Sequence, residues 1–277
     1  MAELTAAAPR PHRVVPVRLR SLVTLTVVSI TGLAMFLWPL VVQPVAGVAH
    51  HRDAVFVFVL TLPALVLLVL SELSDGVMDS KALAMLGVLS ALGAALRPLG
   101  AGVGGVELIF FLLVLAGRVY GPGFGFVLGS TTMFASALLT GGVGPWLPFQ
   151  MLAASWVGFG AGLLPRCRGR VEIGLLTFYG VVSAFAYGFL MNMWFWPFTA
   201  DPDTQIAFVP GGAVLDNLRR FFLFTVATST LGWDLGRAIT NGLAIAAMGT
   251  PVLLALRRAS RRAAFSAPVT FRDGSVA

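Results

Sequence analysis

The chain has 277 residues, of which 57% are hydrophobic and only 11% charged, and its mean hydropathy is +0.89. That balance excludes an ordinary soluble globule and places the chain with polytopic membrane proteins. Its single cysteine, Cys167, excludes an internal disulfide and a cysteine-based zinc or iron–sulfur cluster. The net charge of +7 would suggest nucleic acid in a soluble protein. Here it reads instead as the arginine bias of cytoplasmic loops, so no nucleic-acid partner is expected.

In chain order, residues 1–21 form a basic, proline-containing tail with no small-residue cleavage site after the next apolar run, and so read as a retained cytoplasmic tail. Apolar runs follow at 22–42, 54–71, 82–97, 106–119, 122–140, 148–165, 172–191 and 233–256. A span needs about 17–25 residues, so the run at 106–119 is short. Phe221 to Leu231 has about half the required length and is closely flanked by Arg219, Arg220 and Asp234; it reads as interfacial or partly inserted. Eight spans put both termini on one side. With that count 14 of the 19 Lys and Arg residues fall inside and 5 outside, so both termini are expected in the cytoplasm. The expected fold is an all-α, multi-pass membrane bundle.

The acidic link Ser71–Lys81 separates the first two spans from the other six. It divides the chain into a two-helix extension (22–78), a six-helix core (79–262) and a cytoplasmic tail (263–277). The first core helix, Lys81 to Pro98, carries Gly87, Ala91 and Ala95 at intervals of four, a flat stripe along one helix face. Packing inside the protein and docking of a partner are equally compatible with it.

Catalytic signatures are missing. Gly121, Gly123, Gly125 and Gly129 do not fit a dinucleotide fingerprint and suit helix packing. There is no phosphate-binding loop, so energy must come from a partner or an ion gradient. Glu72, Glu107 and Glu172 fall at span ends, where a carboxylate is usually solvated, and mid-membrane charges of the kind ion-coupled carriers use are not apparent. His50, His51 and Asp53 are read as a solvated outer loop rather than a metal site, and no cofactor is expected.

Polar and aromatic residues collect on the outer side: Arg97, Trp146, Gln150, Asn192, Trp194, Trp196, Trp233, Asp234, Arg237 and Asn241. Five of the six tryptophans lie there, counting Trp38. An interfacial belt would occupy both membrane faces, so the asymmetry favours a lined cavity. Asp234 and Arg237, three apart on a helix, are placed to pair, either as a structural bridge or against a ligand. Asn241, one turn further in, would be buried and need a partner.

With the small-residue stripe, the Ala95–Gly100 turn, the segment Gly144–Pro165 and the closing helix Leu231–Arg258, the chain resembles the substrate-binding S components of energy-coupling factor (ECF) vitamin transporters over about residues 79–262. The resemblance implies a six-helix fold with a vitamin pocket near the outer face of the bacterial plasma membrane. It also implies a transmembrane coupling subunit that docks on the stripe, two ATPase subunits that supply the work, and tilting of the whole subunit to deliver its cargo. Ala91 and Ala95 match the family's small positions best, with Gly87 taking another; the pair of spans at 22–71 departs from small family members. Among subtypes the chain looks most like the proposed cobalamin-type members. Two alternatives stand beside this reading: a stand-alone secondary carrier of a small organic solute, and a lipid-modifying enzyme built on Asp234 and Arg237.

Overall fold

The computed structural model describes residues 19–41, 64, 80–100, 104–199 and 203–263. The expectations for the tails, the acidic link, the second span (54–71) and the His50, His51 and Asp53 loop lie outside the described residues. Within them every regular element is helical: α1 (Leu19–Phe36), α2 (Trp38–Val41), α3 (Ser80–Leu96), α4 (Ile109–Tyr120), α5 (Pro122–Thr140), α6 (Leu147–Leu163), α7 (Gly169–Phe195), α8 (Val214–Thr225), a π-helical segment (Val226–Asp234) and α9 (Leu235–Ala263). Among the described residues, four helices are long and apolar enough to cross a membrane: Ser80–Gly100, Pro122–Thr140, Gly169–Phe198 and Val214–Arg262. The molecule is therefore a helical, multi-pass membrane protein.

Local chemistry sets the boundaries. Gly121 ends α4, and Pro122 opens α5 at the position where its missing N–H costs nothing. Gly141, at φ +66°, ends α5 in the left-handed conformation, and the Gly142 N–H donates to the Ala137 carbonyl at 2.9 Å.

The short α4 is the axis of the bundle. Residues Ile109 to Gly117 are all buried, and the helix packs against α5, α6, α7 and α9. A helix that is apolar all round belongs inside. Its 12 residues rise only about 18 Å, short of the roughly 30 Å hydrocarbon core. The irregular segment 104–108 leads into α4.

Glycine lets α4, α5 and α6 approach to backbone contact. A Cβ on Gly125 or Gly158 would strike the other's backbone, one on Gly117 would strike Gly158, and one on Gly129 would strike Ala154. Small-residue packing within the described bundle therefore runs through Ala154, Gly158 and Gly162 of α6 against α5. The α3 stripe is different. α3 meets α5 through Ala82, Leu86, Leu89, Ser90, Gly93 and Ala94, with Ser90 Oγ and Thr131 Oγ1 2.7 Å apart. Gly87, Ala91 and Ala95 lie on the opposite, exposed face.

The last part of the chain departs from the sequence reading. The segment Phe221–Leu231 does not stand apart from the last span: α8, the π segment and α9 run on as one helical stretch, Val214–Arg262, of 49 residues. That is about 74 Å of helix, more than twice the hydrocarbon thickness. Pro251 lies within it.

The packing predicts a contrast between two glycines. Gly158→Ala forces a methyl into the α5 backbone and should destabilise by about 1–3 kcal/mol. Gly87→Ala, with nothing within 4 Å of the added carbon, should be neutral or stabilising by up to about 1 kcal/mol. Thermal unfolding of the two variants in detergent checks this.

Candidate functional site

The polar centre forms where the loop before α4 meets the start of α9. Arg237 is 6% exposed and Asp234 1% exposed. Arg237 donates from Nε to Glu107 Oε2 at 2.6 Å, and from Nη1 to Asp234 Oδ1 at 3.0 Å and the Ala184 carbonyl at 3.3 Å. Asp234 Oδ2 accepts from Ser229 Oγ at 3.0 Å. The guanidinium also lies 4.9 Å from the Tyr187 ring centre and 5.7 Å from that of Phe110, close enough for cation–π attraction. Asn241, fully buried, donates to the Glu107 carbonyl at 3.2 Å and the Arg237 carbonyl at 2.8 Å. The guanidinium carries one positive charge between two carboxylates, and each polar partner lowers the cost of burying it.

Two glycines make this geometry possible. Gly105, at φ +74°, presses against the backbone of Trp233, Gly236 and Arg237, so the loop carrying Glu107 lies directly on α9. On α7, a Cβ at Gly188 would occupy the space of the Asp234 carboxylate.

Beside this network is an open cavity of about 410 Å³. Asp234, Arg237, Trp233, Ser229 and Thr228 line it from the Val214–Arg262 stretch, and Asn192, Met191 and Phe195 from α7. Three of these, Thr228, Ser229 and Trp233, together with Asp234, belong to the π segment. Its wider turns recur at functional sites. The Asn192 amide nitrogen is buried and has no hydrogen-bond partner among the described residues. Arg237 lies 20 residues before Arg257, a rise of about 30 Å, so the cavity and the basic end of α9 sit roughly one hydrocarbon thickness apart.

Of the residues singled out from sequence, Asn192, Trp233, Asp234 and Arg237 line the cavity, and Asn241 supports it from beneath. The others do not line it. Arg97 pairs with Gln150, Nη2 to Oε1 at 3.1 Å. Trp146 is exposed and donates to the Gly142 carbonyl at 3.1 Å. Trp194 stacks with Phe195 and meets Phe149. Trp196, 0% exposed, donates to the Ile206 carbonyl at 2.6 Å.

Two carboxylates expected to be solvated are paired with arginine instead. Glu107, its side chain 23% exposed, completes the Arg237 network. Glu172, 2% exposed, accepts from Arg118 at 2.8 Å and from Arg257 at 2.6 Å. Both need arginines far away in the chain, which desolvation at a span end makes necessary once the helices pack. The sequence signal for Glu107 was a lone acid in a glycine-rich stretch before a run too short to span. Among the described residues, no cluster of three or more His, Cys, Asp or Glu is placed to hold a metal.

Removing the guanidinium should strand two carboxylates. Arg237→Met is expected to destabilise by about 3–5 kcal/mol, and combining it with Glu107→Gln and Asp234→Asn should recover much of the loss. The melting temperatures of the single and triple variants test this.

The family model for the ECF transporter substrate-specific component matches residues 81–231, more than half of the chain. Searches of curated proteins and of solved structures return no match.

Proposed function

The chain belongs to the family of ECF transporter substrate-specific components, and from that premise we propose that it captures a vitamin or related micronutrient at the outer face of a bacterial plasma membrane. Delivery inward then requires a transmembrane coupling subunit and, through it, two ATPase subunits. The family match is the observation that carries this reading. Substrate-binding components of this kind are not enzymes, and the Asp234–Arg237 pair is accordingly read as binding and structural rather than catalytic.

The cavity beside Arg237 is the proposed substrate site. Its volume of about 410 Å³ falls toward the small end of the range for small-molecule sites, roughly 300–1,000 Å³. Phe195, Phe224 and Trp233 offer apolar and aromatic surface, and the unpartnered Asn192 nitrogen calls for a carbonyl oxygen or ring nitrogen on the ligand. The exposed stripe Gly87, Ala91 and Ala95 is the proposed contact for the coupling subunit; its small side chains would let a second helix come close.

Mass spectrometry of the purified protein, prepared without nucleotide, should find a stoichiometric small molecule. An Asn192→Leu variant should hold it about tenfold less tightly. Absence of any bound compound, in a protein that also binds none of the common vitamins by calorimetry, would remove the reading. Separately, Ala91→Trp should leave binding intact and abolish uptake in cells that carry the coupling machinery; normal uptake would remove the docking assignment alone.

A further inference from the structure

The family match begins at residue 81, so α1 and α2 lie outside it, yet both are fastened to the bundle. Ser29, Gly32 and Phe36 share one face of α1. Ser29 Oγ accepts from Trp156 Nε1 at 2.9 Å. Gly32 lies so close to Leu152 that a Cβ there would overlap its side chain. Phe36, fully buried, meets the Phe149 ring edge-on at 5.1 Å and Trp156 at 5.7 Å. The opposite face, Val23, Val27 and Ile30, is exposed. The helix is thus set on α6 in one orientation by a hydrogen bond and an aromatic contact rather than by general greasiness.

What this attachment delivers is α2. A small apolar cluster, separate from the main core, consists of Met193, Trp196, Phe221 and Phe224, with Leu37 and Leu40 packed against it. Trp38 adds a ring contact with Phe198 at 5.8 Å. On its other side the same layer faces the cavity: Phe224 lines it directly, and the lining residues Phe195 and Thr199 flank the Trp196–Phe198 turn. The cavity's outer wall is therefore one layer of side chains thick, with α2 behind it. Only four residues are buried in that cluster, and a cluster of this size has little cohesion of its own.

We propose that α1 and α2 form a brace that positions the outer wall of the cavity, with Leu37, Trp38 and Leu40 as the positioning residues and the Ser29–Trp156 bond as its anchor. Under the substrate-site reading above, the brace slows release of the bound molecule by limiting the opening of the Trp196–Phe198 turn and α8. The bracing itself needs no ligand, so it can fail while the substrate site stands, or hold while that site proves wrong.

The test is hydrogen–deuterium exchange on the full chain in detergent, comparing wild type with Leu37→Ser/Leu40→Ser. Peptides covering 192–199 and 214–225 should exchange about tenfold faster, while those covering 109–163 should not change. A Val27→Ser control on the exposed face should match wild type. Unchanged exchange at 192–199 and 214–225, or faster exchange spread equally over 109–163, would overturn the proposal. Should the double variant not fold, Trp38→Ala replaces it, read by N-ethylmaleimide labelling of Thr199→Cys in a Cys167→Ser background. Faster labelling supports the brace, and labelling at the wild-type rate overturns it.

Discussion

Burial of the Arg237 guanidinium is the constraint to which the half of the molecule around the cavity answers. A charge so enclosed demands partners, and they come from three separated parts of the chain: Glu107 before α4, Asp234 at the end of the π segment, and the Ala184 carbonyl of α7. Meeting that demand draws the glycine-rich loop against α9, requires a glycine at 188 and holds Asp234 at the edge of the cavity. The carboxylates are satisfied in turn, which offsets part of the cost of burying the charge. The polar side of the cavity is a by-product of solving an electrostatic problem.

A second ionic centre, Arg118–Glu172–Arg257, does for the other end of α4 what Arg237 does for its start. Arg118 donates as well to the Leu164 carbonyl at 2.9 Å, tying in the end of α6. Between the two centres α4 is gripped at both ends by α7 and α9, while glycine contacts with α5 and α6 hold its sides. Arg237 and Asp234 of the first centre line one side of the cavity. Its outer wall, by contrast, rests on a four-residue cluster that borrows Leu37 and Leu40 from outside the family-matched region.

Much of the helical layout was legible in apolar runs, because lipid imposes a length on any segment that crosses it. The run at 122–140 coincides with α5. The pairing of Asp234 with Arg237 was legible too, since a spacing of three on a helix is a local fact. Glu107 was not legible as a partner, because 130 residues separate it from Arg237. Trp194 and Trp196 show the same limit from the other side: an aromatic count places them near the site, but whether a ring faces the cavity or stands behind its wall depends on packing. The α3 stripe lay between these cases. Spacing alone identified the flat face, and only the assembled bundle shows that the buried side of α3 is the other one.

Pro251 gives the long final helix a property its length conceals. A proline has no N–H to offer the Ala247 carbonyl, so one rung of the ladder is missing between Arg237 and Arg257. The stretch that bears both ionic centres therefore lacks a rung between two pinned points, Arg237 held on Glu107 and Arg257 held on Glu172.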